Sequence, residues 1–307
     1  MKNRSILQLI DIMKVSYVFP WVNPLDPEWQ KEYAKASGKE IDFTNERFRE
    51  NPLLRYHLRS IAEFAPWIDE VVIIVSSKSQ ILPWMNTSTI KFVEHKDFIP
   101  QAYLPCFNSN TIETFLANIP TNPYIIYSND DFYFNDMTKI EDFFSEDGVP
   151  KFYSVKKDQC KNAFQQTCLN NFNVIRKDFP NEYKLFEYER APHCQTPMLR
   201  STIREVYRKH RKTMESYVTQ FRDVENNLNQ YIYSNYQVLS GNFIKTPKIA
   251  AYYDMTLENT ANAAGEIFNP TKKLICLNDT ELTNYIAIRV YTGLLAEKFP
   301  NKCKYEL

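Results

Sequence analysis

The stretch Tyr124-Ile125-Ile126-Tyr127-Ser128-Asn129-Asp130-Asp131 decides how the chain is read. Four strand-forming residues run straight into a polar turn with two adjacent carboxylates, the pattern of a buried strand that ends at a ligand-binding edge. Upstream, Val15 to Phe19 reads as another strand, running into Pro20-Trp21-Val22-Asn23. Val71 to Val75 is a fully apolar run of strand length, suited to the inside of a parallel sheet, and a short strand is expected near 90–93. Helical periods lie between these runs. Asp26-Pro27 supplies an N-cap and a first-turn proline for a helix through Trp29 and Tyr33. Asn51-Pro52 opens a second helix, with Leu54, Leu58, Ile61 and Ala65 on its buried face and Pro66 at its end. Asn108 or Ser109 caps a third, with Ile112, Phe115, Leu116 and Ile119 inward. The alternation predicts an α/β fold whose parallel strands place 20–23 and 129–131 on one carboxyl edge.

Beyond about 150 the texture turns to Lys, Asn, Gln and Tyr with helical periods at 199–218 and 223–239, which predicts a mainly helical insertion over 151–270. Lys273 to Leu277 restores the strand pattern. It leads into Asn278-Asp279 and a helix through Leu282, Ile286, Val290 and Leu294, a unit expected to rejoin the first sheet. The domain reading is therefore a catalytic core over 1–150 and 271–307, interrupted by the insertion.

Composition narrows the function. The 307 residues carry 37 Lys and Arg against 37 Asp and Glu, a zero formal charge that argues against a general nucleic-acid binder. Only five glycines occur, too far apart for GxGxxG or a Walker A loop, so a bound nucleotide needs metal, arginines or helix N-termini for its phosphates. The six cysteines form no CxxC pair, and the four histidines form no HExxH, which favours reduced, mostly buried thiols. The N-terminal MKNRSILQLIDIMK is too polar and short for a signal peptide or span, so a soluble, cytoplasmic protein is expected.

Several groups suit chemistry, each with a plainer role beside it. Adjacent Asp130 and Asp131 at a strand end suit a hard divalent cation bridging diphosphate oxygens, or a proton acceptor; a backbone-bonded turn is the plain alternative. Asp279 ends a strand before a helix and so reads first as an N-cap, which leaves it free to face the same cleft. Arg55 and Arg59, one turn apart, suit a phosphate clamp or a solvated helix flank. Trp21 sits where a base or sugar ring stacks. His193 lies in the stiff segment Ala-Pro-His-Cys-Gln-Thr-Pro, as a structural histidine or as an acid, base or phosphate donor. The basic run Arg200 to Lys212 is a solvated face or a contact for a polyanion or anionic lipid.

Taken together these segments resemble the Stealth family of hexose-1-phosphate transferases, which includes bacterial capsular polysaccharide phosphotransferases. The likeness rests on VSYVFPWVNPLDPEW (15–29), then NPLLRYHLRSIAEFAPWIDEVVIIVSS with ILPWMN, IKFVEHKDFIP, LPCFNSNTIE and YIIYSNDDFYF, then APHCQTPM with FRDVENNLNQYIYSNY, and KLICLNDT. Pro24 and Leu25 stand where the family's first block usually has Gly and Ser.

The resemblance implies a Rossmann-like, mostly parallel sheet with helices on both faces. It also implies transfer of a sugar 1-phosphate from a UDP-sugar, typically a UDP-N-acetylhexosamine, to a hydroxyl of a capsular glycan, with release of UMP and with Mg²⁺ or Mn²⁺ as cofactor. Glu113, Asp130, Asp131, His193 and Arg222 are the catalytic candidates it carries over. Donor and phosphate candidates are Trp21, Asn23, Asp26, Arg55, Arg59, Asn110 and Asn278, and the metal candidates are Asp130, Asp131 and Asp279. Compactness favours the capsule branch, where peripheral inner-membrane association and a homo-oligomer are compatible with the sequence. A metal-dependent glycosyltransferase releasing UDP and a non-catalytic glycan-binding protein are the competing readings.

Overall fold

The computed structural model describes residues 13–49, 52–157, 159–180, 188–223 and 225–307. Asn51, expected to open a helix, and most of the N-terminal segment lie outside them.

Five strands form the main sheet: β1 (Val15–Pro20), β2 (Glu70–Val75), β3 (Ile90–Glu94), β4 (Tyr124–Tyr127) and β9 (Thr196–Leu199). Their order is β3-β2-β1-β4-β9; the first four are parallel and β9 runs antiparallel to β4. Side chains alternate across a strand, so each strand feeds two cores. Tyr17, Phe19, Val71, Ile73 and Val75 pack on one face with Leu54, Leu58 and Ile61 of helix α2 (Leu54–Phe64). Val18, Val72, Ile74 and Val93 pack on the other, with Ile112, Phe115, Ile203, Val206 and Ile232. Both faces being covered explains why 71–75 is apolar without alternation. The expected α/β fold with a Rossmann-like sheet is what the chain forms.

Helix α1 (Pro27–Ser37) starts as expected, with the Asp26 side chain accepting from the Glu28 N–H. Helix α3 (His95–Phe98) is one turn, and Asn108 caps α4 (Ser109–Thr114). The later part holds α5 (Ala163–Ile175), α6 (Arg200–Glu215), α7 (Tyr231–Leu239), α8 (Thr260–Phe268) and α9 (Tyr285–Lys298). The helical period read over 223–239 is helix only from Tyr231.

The return of the chain differs from expectation. The strand at 273–277 does form, as β12 (Leu274–Asn278), but it joins a second sheet, β11-β12-β5, with β11 (Ala250–Asp254) and β5 (Phe132–Phe134). The physical reason is that β9 already occupies the edge beside β4, while the apolar Phe132-Tyr133-Phe134 just past the acidic turn offers a fresh partner. The terminal helix also turns another face inward. Leu282 lies before it and is 72 % exposed and Ile286 is 63 % exposed, while Ala287, Ile288, Tyr291 and Leu295 are buried. Four short pieces complete the strands among the described residues: β6 (Lys151–Phe152) pairs with β10 (Ile244–Lys245), and β7 (Val155–Lys157) pairs with β8 (Tyr188–Arg190).

Candidate active site

Strand order places the cleft. The sequence steps outward from β1 to β2 and β3, then crosses to β4 on the other side of β1, so the crevice at the carboxyl ends of β1 and β4 is the topological switch point. A cavity of about 1310 Å³ opens there, with Trp21, Asn23, Asp130 and Asp131 in its wall.

Two antiparallel pairings bring the remote segments to it. Because β5 runs against β12, the start of β5 meets the end of β12: the Leu277 N–H donates to the Asp131 carbonyl at 3.0 Å, which sets Asn278 and Asp279 beside the acidic turn. Because β9 runs against β4, Thr196 lies across from Tyr127, and His193, three residues earlier, stands over the same edge. His193 Nε2 is 4.0 Å from Asp131 Oδ2. Asn110, Glu113, Arg222, Asn278 and Asp279 also line the cavity, as does Arg55.

The acidic turn is held from behind by buried polar groups. His57 on α2 contacts the Asp130 carbonyl through Nδ1 at 3.0 Å and the Tyr17 hydroxyl through Nε2 at 3.0 Å, and that hydroxyl lies 2.6 Å from Ser128 Oγ. Burial pushes His57 down to about 4, so it serves as a neutral hydrogen-bonding strut.

Carboxylates crowd the cleft. Burial, then the charges of Asp130 and Asp279, raise Asp131 to about 8, while the cleft's withdrawal from water, then Asp279, raises Asp130 to about 6. Asp279 is raised by burial and pulled back by Arg49, whose guanidinium donates to Asp279 Oδ1 at 3.0 Å, to the Thr283 carbonyl at 2.6 Å and to the Thr44 carbonyl at 2.9 Å. Asp131 Oδ1 and Asp279 Oδ2 are both buried with no hydrogen-bond partner among the described residues. Like charges held together with unpartnered oxygens fit a hard divalent cation, which takes carboxylate oxygens. Asp131, His193 and Cys276 also present ligand atoms within 4.8 Å of one another. Burial first, then Asp131, holds the Cys276 thiol protonated, and it donates to Asp131 Oδ2 at 3.4 Å, so the sulfur positions the carboxylate rather than competing for the ion.

Burial, then the Arg190 charge, pushes His193 down to about 4, leaving a neutral imidazole whose Nδ1 lies 3.0 Å from the Tyr231 hydroxyl. Glu113 is buried; it accepts from the Tyr127 hydroxyl at 3.0 Å and the Gln230 N–H at 2.7 Å, and desolvation raises it to about 7. Arg222 is exposed at the cleft, donating to Ser109 Oγ at 2.5 Å. Arg55 lies over the Trp84 ring at 4.8 Å.

Three sequence readings need correction. Arg59 is not a phosphate ligand: its fork donates to Glu306 at 2.6 and 2.9 Å and to the Phe299 carbonyl at 2.6 Å, burying it in a clamp on the C-terminal segment. Asp26 is buried as the cap of α1, where Ser79 and Gln80 both donate to its Oδ2 at 2.6 Å, and it is absent from the cavity wall. Asp279 is not an N-cap; Asn284 caps α9. Sequence reading missed Arg49, Cys276 and His57, whose roles rest on partners far away in the chain.

An α/β protein with an acidic cleft at the switch point of a parallel sheet is the class that fold and site define. The family model for the Stealth protein conserved region 2 matches residues 47–152, which span α2 through the acidic turn. Capsular polysaccharide phosphotransferase fcs1 of Haemophilus influenzae is 29 % identical over 301 residues, 88 % of this chain and 79 % of that protein. Exopolysaccharide phosphotransferase cps2G of Lactiplantibacillus plantarum is 27 % identical, covering 88 % of each chain. Through residues 47–152 the chain matches the Stealth family's second conserved region, and over most of its length it is similar to these phosphotransferases. Among solved structures, galactosyltransferase LgtC in complex with donor and acceptor sugar analogs matches 92 % of this chain and 95 % of that one at 12 % identity and a TM-score of 0.41, too loose a match to carry a functional conclusion. Among the described residues no helix is long and apolar enough to cross a membrane.

Proposed function

We propose that the protein transfers a hexose or hexosamine 1-phosphate from a UDP-sugar, with a UDP-N-acetylhexosamine as the favoured donor, to a hydroxyl of a capsular or cell-surface glycan. The acceptor oxygen attacks the β-phosphorus, the bond from that phosphorus to the bridging oxygen breaks, and UMP leaves as a phosphodiester forms. The observation that carries the reading is the convergence of Asp130, Asp131, His193, Arg222 and Asp279, drawn from separate parts of the chain, on one cavity. The phosphotransferase relatives support the same chemistry.

His193 suits the proton acceptor: in the tautomer whose Nδ1–H is donated to the Tyr231 hydroxyl, Nε2 keeps its lone pair for the acceptor hydroxyl. Asp130, Asp131 and Asp279 would hold the divalent cation, Mg²⁺ or Mn²⁺, which when bound neutralises diphosphate charge. Arg49 keeps Asp279 ionised and aimed. Arg222 and Arg55 bind phosphate oxygens, Trp21 offers a ring to the base or sugar, and Asn23, Asn110 and Asn278 offer amides to the donor. Glu113, in the cavity wall, fixes Tyr127 and the Gln230 backbone. His193 and Arg222 come from the stretch 151–270 read as an insertion, although its β9 and β11 are strands of the two sheets rather than parts of a separate lobe. The exposed Arg204, Arg208 and Lys212 of α6 offer a contact for the anionic inner-membrane surface. Separation of nucleotide products tests the chemistry: UMP supports it, whereas UDP with a phosphorus-free glycan makes the protein a glycosyltransferase.

A further inference from the structure

Two large aromatic rings stand exposed around the same histidine. Phe164, at the start of α5 and in the cavity wall, is 39 % exposed, and its ring centroid lies 6.0 Å from that of His193. Tyr252, on β11, is 45 % exposed, with its centroid 5.9 Å from His193. Single exposed apolar residues need no explanation, but two from different sheets and helices meeting one cleft histidine form a patch. Each ring is also braced. The buried Arg190 guanidinium lies 5.0 Å from the Phe164 centroid, a cation–π contact that fixes the ring while leaving it open. The Tyr252 hydroxyl donates to Asp254 Oδ1 at 2.9 Å, and the same oxygen accepts from Asn278 Nδ2 at 3.2 Å, so the ring is tied to the site's own asparagine.

Exposed rings beside a carboxylate and a carboxamide are the surface that takes a neutral pyranose. The C–H faces of the sugar lie on the rings, and planar polar groups pair with its hydroxyls. A UDP group asks for cations instead, and the cationic side chains in the cavity wall, such as Arg55 and Arg222, come from other elements. We propose that Phe164 and Tyr252 form the acceptor subsite, on which a pyranose of the glycan stacks so that one of its hydroxyls reaches His193 Nε2. This rests on the reading of His193 as the proton acceptor. The two rings are specificity-determining residues, setting which sugar and which hydroxyl are presented, while Asp254, held by Asn278, selects its polar edge.

The test separates binding from chemistry. The probe is the neutral oligosaccharide repeat released from the source strain's surface glycan by aqueous hydrogen fluoride, which cleaves phosphodiesters. Saturation-transfer NMR without donor should show it bound to the wild-type protein. Phe164→Ala and Tyr252→Ala should each weaken that binding about tenfold, the scale of losing one aromatic anchor. Phe164→Trp should retain it. Wild-type affinity in both alanine variants, or no binding to the wild type, overturns the proposal. Ring-dependent binding together with UDP as the nucleotide product would leave the subsite standing and remove the phosphotransfer reading.

Discussion

Asp131 is the most conflicted residue of the cleft: half-buried beside two other carboxylates, with one oxygen lacking a partner and the other taking a thiol hydrogen. Such a group is maintained against its electrostatic cost when the site gains from it. Asp131→Asn keeps the shape and removes the charge, and turnover should fall at least ~100-fold. His193→Ala should fall by a similar ~100-fold, the scale for losing a general base. Circular dichroism must show both variants folded; near-normal turnover in either removes that residue from the catalytic set. Both aspartates and the histidine were legible in sequence because each sits in a segment of unusual chemistry: a carboxylate pair at a strand end, and a histidine between prolines. Arg49 and Cys276 were not, since nothing local distinguishes an arginine whose partner is 230 residues away or a cysteine that bonds across 145.

Helix α2 shows how one element serves both structure and site. Its apolar spacing announces the face packed on the sheet, and that reading holds residue by residue for Leu54, Leu58 and Ile61. Its polar positions divide in a way periodicity cannot reveal. Arg55 faces the cleft, His57 braces the acidic turn, and Arg59 clamps Glu306. Arg59→Ala removes the bidentate partner of the buried Glu306 carboxylate, leaving it Arg55 at 3.2 Å and the Cys303 N–H at 3.2 Å, and should destabilise the fold by about 1.5–3 kcal/mol in urea unfolding. The surviving folded fraction should keep its turnover, in contrast with Arg55→Ala, which should raise KM for the donor. Loss of turnover with unchanged stability in Arg59→Ala would return that residue to the phosphate site. The strand at 274–278 was equally plain as a strand, yet its sheet was not, because the choice of partner depends on which edges remain open after folding.

At the scale of the whole molecule, the neutral charge and scarce glycines indicated how phosphates are not held, and the parallel strands indicated where a ligand sits. The two antiparallel pairings that deliver His193 and Asp279 belong to tertiary structure alone. Buried Glu113 gives the fold a pH signature. Desolvation raises it from 4.5 to about 7, so the native state binds the proton more tightly than the unfolded state. Stability from this group is therefore full below about pH 4.5 and lost as pH rises through about 7, a change of about 3 kcal/mol. Glu113→Gln should flatten that part of the urea-midpoint profile between pH 5 and 8; an unchanged slope would show that Glu113 is not its source.

The most direct measurement is phosphorus NMR of the purified protein with UDP-N-acetylhexosamine, the dephosphorylated glycan repeat, and Mg²⁺ or Mn²⁺, beside a chelated control. UMP appearing in step with a new phosphodiester resonance, and neither appearing under chelation, is the expected result. UDP with a glycan product free of phosphorus would contradict sugar-phosphate transfer.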